Sequence, residues 1–120
     1  RPGTLSGTHS ENLYESRGFL TDKAFLYEYR DITLAGLSMH LGLSDRQTER
    51  FLKDYYGKTF AQKRTDARMS AACVMLKKAG SDLGVIAENT GYTSVDSFIN
   101  AFKKYYNMTP KKYLQLHSED

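Results

Sequence analysis

The sequence predicts an all-α protein of two helix-turn-helix subdomains joined by a long linker helix. Three observations carry that expectation. A stretch from Leu34 to Phe60 recurs about 49 residues later, from Leu83 to Pro110. Each copy holds a short apolar-periodic segment, a glycine (Gly42, Gly91) and a longer segment ending in a tyrosine pair, so each should be one supersecondary unit. Apolar residues recur at i, i+3, i+4 and i+7, the spacing of one helical face. Strand-like alternation of useful length is absent, which leaves a sheet nothing to build on.

Taken in order, residues 1–20 are rich in Gly, Ser, Thr and Asn without a sustained period, and are expected to be a linker or disordered N-terminal segment. Thr21 is expected to cap a short helix over residues 22–29, offering Phe25, Leu26 and Tyr29 for packing. A second helix after Thr33 should bury Leu34, Leu37, Ser38 and Leu41. Gly42 supplies a turn tolerant of positive φ. Ser44 and Gln47 then form a capping box for a third helix. That helix should bury Thr48, Phe51, Leu52 and Tyr55 before Gly57 ends it, closing a first subdomain over 21–58.

The linker region, 59–80, predicts a helix from about Phe60 to Ala79. Met69, Ala72, Cys73 and Leu76 mark its inner face, Lys77 and Lys78 suit its C-terminal dipole, and Gly80 stops it. The second subdomain, 81–117, repeats the design. Leu83, Ile86, Ala87 and Thr90 match the first copy at an offset of 49, and Phe98, Ala101, Phe102 and Tyr105 at 50. Its turn is therefore one residue longer. Thr109 and Pro110 open a last short helix through Tyr113 to Leu116.

Composition narrows the function. Net charge is +3 in 120 residues, but residues 31–80 hold nine basic against five acidic side chains, which favours an anionic partner. No apolar run of 18 residues exists, so no membrane span is expected, and no charged-then-apolar leader predicts secretion. The start Arg1-Pro2-Gly3 suggests a fragment of a longer polypeptide. The lone Cys73 excludes an internal disulfide and fits a reducing cytosol, so a cytoplasmic location is expected. His9, His40 and His117 lack partners at metal-ligand spacing, and the glycines stand singly between helices. Nothing orders Ser, His and Asp into a triad. Neither an enzyme nor a metal or cofactor site is expected.

The residues Ile32-Thr33-Leu34, Gly42-Leu43-Ser44, Arg50, Lys53, Gly57-Lys58-Thr59-Phe60, Arg68-Met69, Ala72, Leu76, Ile86-Ala87, Gly91-Tyr92, Ser97-Phe98, Phe102-Lys103-Lys104, Thr109-Pro110 and Tyr113 resemble, in this order and spacing, the DNA-binding domain of the AraC/XylS family of bacterial transcription regulators. The resemblance covers about residues 22 to 116. It implies about seven helices, two helix-turn-helix units reading successive major grooves, activation as the commoner role, RNA polymerase as a partner, and an N-terminal effector or dimerisation domain outside this chain. Ser38 stands where the family prefers alanine, Thr48 where leucine is usual, and Asn107 where glycine is usual. The first two imply a less apolar first subdomain.

With the core faces assigned, the outward faces follow. On the third helix Arg46, Glu49 and Arg50 form the candidate base-reading stripe, Arg being suited to guanine N7 and O6. Glu49 could accept from a cytosine amino group or brace Arg46 or Arg50. On the sixth helix the equivalents are Val95, Asp96, Ile99 and Asn100. Asn100 suits adenine, Asp96 cytosine, and Val95 or Ile99 a thymine methyl. Phosphate contacts are expected from Ser44, Lys53, Lys58, Lys103, Lys104, Lys111 and Lys112 and from amides opening the reading helices. A linker helix of about 20 residues spans about 30 Å, close to the roughly 34 Å of one DNA turn. The expected function is sequence-specific binding of double-stranded DNA. The competing expectation is a helical protein-interaction module contacting polymerase or a partner domain.

Overall fold

The structure, a computed structural model, describes residues 9–78 and 82–117, with side chains from Leu13 onward. Among the described residues there are seven helices and no strand: α1 (His9–Glu28), α2 (Leu34–Leu41), α3 (Asp45–Tyr56), α4 (Phe60–Leu76), α5 (Leu83–Asn89), α6 (Val95–Tyr106) and α7 (Pro110–His117). The chain divides into two compact units, one up to Arg64 and one from Thr65.

In the first unit, α1 starts at His9, not near residue 21, so much of the expected linker is helical and Thr21 is a buried mid-helix residue rather than a cap. Residues 1–8 lie outside the described residues. The physical reason is tertiary packing, which routinely supplies most of a helix's stability. Gly18, Thr21, Ala24 and Phe25 make a buried face of mostly small residues. A Cβ on Gly18 would come within 2.5 Å of the Tyr55 ring, so this mid-helix glycine permits close approach to α3. Tyr14 meets the Phe51 ring edge-on at 5.2 Å. Leu26, expected to pack, points outward at 63 % exposure.

The caps fall as the sequence predicts. Thr33 Oγ1 accepts the Gly36 N–H at 3.0 Å, and Gly42 closes α2 with φ 70°. Ser44 Oγ accepts the Gln47 N–H at 3.1 Å while the Ser44 N–H donates to Gln47 Oε1 at 2.9 Å. Leu37, Leu41, Phe51, Leu52 and Phe60 are buried. Ser38 and Thr48, the two polar departures, are buried as well, and Ser38 Oγ donates to Thr48 Oγ1 at 2.8 Å. Each supplies the partner the other needs.

Helix α4 has 17 residues and ends at Leu76 rather than Ala79, a length of about 25 Å. Its end tightens, since the Lys78 N–H donates to Met75 O, three residues back. Gly80 lies outside the described residues.

In the second unit, Met69, Ala72 and Leu76 of α4 meet Ile86 and Ala87 of α5 and Phe98 and Phe102 of α6 in one apolar cluster. Cys73, Leu83, Ala101 and Tyr113 pack against it. The longer second turn resolves as Thr90 capping α5 and Gly91 taking φ 92°. Thr90 is buried and its hydroxyl donates to Ile86 O at 2.7 Å. Asn107 ends α6 in the left-handed region at φ 60°, where its counterpart Gly57 has φ 73°. Asparagine tolerates that region better than most side chains, which explains the departure from glycine.

Candidate nucleic-acid interface

Two devices lock α3 in orientation: the capping box at its start, and Phe51 and Leu52 buried on its inner side. The opposite side carries Arg46, Arg50 and Lys53, all exposed. At spacings of four and three residues they share one outward stripe. Lys53 also sits in the last turn, where a cation complements the helix dipole.

Glu49 leaves that stripe. It is half-buried, and its Oε1 accepts the Phe60 N–H at 3.0 Å, so it satisfies an orphan donor at the start of α4. The expected bracing of Arg46 or Arg50 gives way to bracing of the next helix. Thr59 and Gln62 complete that helix start with reciprocal bonds of 3.1 and 2.9 Å. Ser44, exposed, has its side-chain oxygen engaged as the α3 cap.

Helix α6 is held the same way, by a Ser94–Ser97 capping box and by buried Phe98 and Phe102. Asp96 and Asn100 are exposed on its outward side, with Lys103 and Lys104 in its last turn. Val95 is exposed at the helix start. Ile99 is half-buried and packs against the apolar cluster, so it is withdrawn from the stripe as Glu49 is. The two residues occupy equivalent positions, and the reason they differ is visible. Phe60 has an N–H to satisfy, whereas its counterpart Pro110 has none, so position 99 can be apolar. Lys58 is exposed beyond α3, and Lys111 and Lys112 are exposed on α7. Each unit thus presents its candidate cations on its own surface.

The tyrosine pairs pack between helices, but the buried member of each is not the expected one, Tyr55 or Tyr105. Tyr55 and Tyr105 are 40 % and 42 % exposed, while Tyr56 and Tyr106 are the half-buried members. Tyr56 O–H donates to Asp22 Oδ1 at 2.6 Å and to Gly18 O at 3.2 Å. Burial first, then the Asp22 carboxylate, push its phenol far above the ordinary range. Tyr105 O–H donates to Asp66 at 2.7 Å, and burial followed by that bond raises its pKa to about 12. The Cys73 thiol donates to Tyr106 Oη at 3.2 Å, and burial pushes that phenol up too. These hydroxyls stay protonated and tie each reading helix to its own unit.

Sequence reasoning missed Arg17 altogether. It is half-buried on α1 and shares an open groove with Gln47 and Arg50 of α3. The spacing of Gly18, Thr21, Ala24 and Phe25 on one helical side was the available signal. Among the described residues, no group of three or more His, Cys, Asp or Glu side chains could hold a metal ion, and no helix is long and apolar enough to cross a membrane.

Comparison with known proteins places these helices among relatives. Residues 37–116 match the helix-turn-helix domain family. The chain is 44 % identical over 54 residues to the HTH-type transcriptional activator FapR of Escherichia coli, covering 45 % of this chain and 21 % of FapR. It is 31 % identical over 88 residues to the HTH-type transcriptional regulator GadX of Escherichia coli O6:H1, covering 73 % of this chain and 32 % of GadX. The chain therefore spans about a fifth to a third of these curated relatives. Its fold is similar to that of a transcriptional regulator of AraC-type DNA-binding domain proteins from Chromobacterium violaceum, with TM-score 0.73 and 22 % identity over 88 % of this chain and 98 % of that one.

Proposed function

We propose, for a chain that belongs to the AraC-type helix-turn-helix family of transcription regulators, that it binds double-stranded DNA sequence-specifically through α3 and α6 in successive major grooves. The observation that carries this reading is the exposed Arg46, Arg50 and Lys53 stripe on a helix whose opposite side is buried and whose start is capped. Arg46 and Arg50 read base edges, and Asp96, Asn100 and Val95 do so on α6. Lys53, Lys58, Lys103, Lys104, Lys111 and Lys112 contact phosphates, with the amides behind Ser44 and Ser94. Glu49 and Ile99 act as braces of their helices. One chain then covers about two DNA turns without palindromic symmetry.

The names of FapR and GadX support a regulatory role, and FapR's supports activation. Because such relatives are several times longer, an effector or dimerisation domain in the same polypeptide, contact with RNA polymerase and a cytoplasmic location belong to the same reading.

The test is equilibrium binding to duplexes selected from a random pool. Arg46→Ala and Arg50→Ala should each relax preference at particular base pairs by about 1–3 kcal/mol, while Lys104→Ala weakens all duplexes alike. Equal, sequence-independent losses from all three would place the reading helix elsewhere.

A further inference from the structure

The early start of α1 sets Tyr14 and Arg17 beside α3. Tyr14 and Arg17 of α1, with Gln47, Arg50, Phe51 and Asp54 of α3, line an open groove of about 350 Å³. Its floor is aromatic, Tyr14 standing edge-on to Phe51. The α3 residues follow one another at spacings of three, one and three, so they form a stripe beside the outward one. Arg50 belongs to both. The groove therefore flanks the candidate reading face, and Arg17 stands on its far rim.

Arg17 is half-buried, and the structure gives it no carboxylate partner within ion-pair distance among the described residues. A partly desolvated guanidinium without a counter-ion gains most from an anion brought from outside. The major groove is about 12 Å wide, so a helix lying in it brings the flanking phosphates against whatever rims that helix. We infer that Arg17 binds a backbone phosphate beside the groove read by α3, making α1 part of the DNA interface. The inference rests on the proposed DNA binding and deepens it. Asp54 on the same groove moderates the attraction.

The second unit supplies a built-in contrast. The Tyr56–Asp22 and Cys73–Tyr106 hydrogen bonds align α1 with α4 at an offset of 51 residues, which sets Arg68 opposite Arg17. The second unit has an arginine here too, but that guanidinium lies over the Tyr92 ring, 5.3 Å from its centre.

The experiment measures affinity of the full 120-residue chain for a duplex it selects from a random pool, and for an unselected duplex, across a salt series. Arg17→Gln should weaken both about three- to ten-fold and lower the slope of log affinity against log salt by about 0.9, the value of one phosphate contact. Arg17→Lys should recover most of the slope, and Asp54→Asn should strengthen both complexes. Lys23→Gln, on the same helix but outside the groove, should leave the slope unchanged. An unchanged slope in Arg17→Gln overturns the inference, whether affinity holds or falls, because a fall alone marks packing. A loss confined to particular base changes overturns it in favour of base reading, and an equal loss in Lys23→Gln in favour of general charge. A wild-type chain that selects no duplex sinks the DNA reading itself.

Discussion

The two units build the same three-helix support under a reading helix, but from different chemistry. Where the first unit pairs Ser38 with Thr48 through a buried hydrogen bond, the second sets Ala87 against Phe98. Where the first must satisfy the Phe60 N–H with Glu49, the second begins its next helix with Pro110 and fills the place with Ile99. The first ends its reading helix with Gly57, the second with Asn107. Outward, Arg46 and Arg50 become Asp96 and Asn100. The inner differences come as compensated sets, so the backbone design survives them. The outer ones are uncompensated, which is where two copies of one scaffold can diverge in what they bind.

The comparison breaks most visibly at Phe98. Its side chain is completely buried at the centre of the second apolar cluster, so Phe98→Ala should cost about 3–5 kcal/mol. Residue-resolved hydrogen exchange during urea unfolding should show protection lost in α5–α7 while α2 and α3 stay protected. Uniform loss in both units would mean that they unfold as one.

A smaller effect tests the polar pair. Ser38→Ala leaves the Thr48 hydroxyl buried without that partner and should cost about 1–3 kcal/mol. Thr48→Val in the same background should restore most of it, since an apolar pair needs no hydrogen bond. A double mutant that is merely additive would deny the compensation.

Smaller again is Glu49→Ala. Removing the acceptor for an orphan amide should lower stability by about 1 kcal/mol, as loss of a helix cap does. DNA base preference should be unaltered, and a shift in the selected site would restore Glu49 to the reading face.

Least is the effect of alkali. Burial and Asp66 raise the Tyr105 phenol from 10.0 to about 12, and the Cys73 thiol and burial raise Tyr113 similarly. A raised folded pKa means that the contribution is whole below pH 10 and is lost as pH climbs through about 12. Tyr105→Phe should flatten that decline in urea unfolding followed by circular dichroism. A decline of the same steepness would assign it to other groups.

The fold was largely legible in the sequence because the signals were local. Glycines between the helices, the Ser44–Gln47 capping box and apolar residues at helical spacing locate α2, α3, α5 and α6 without reference to partners. Helix α1 was legible only in its last turns, from residue 22; its start at His9 was not. Its buried side is made of Gly18, Thr21 and Ala24, which look like loop composition until Tyr55 is laid across them. The outward Arg46, Arg50 and Asn100 followed from the core pattern, since a residue opposite a buried one must face solvent. Glu49 and Ile99 sit at the border of the two faces, where spacing alone cannot decide. Their roles depend on whether residue 60 or 110 carries an amide hydrogen, a contact eleven positions along the chain.

That single hydrogen restricts how these halves can be recombined. A designer who transplanted α3 into the second framework, hoping to move its arginines there, would lodge a carboxylate beside a pyrrolidine ring that offers it no N–H. The reverse graft would strand an amide beneath isoleucine. Any exchange of specificity between the halves must therefore carry the first residue of the following helix along with it, or leave the brace behind.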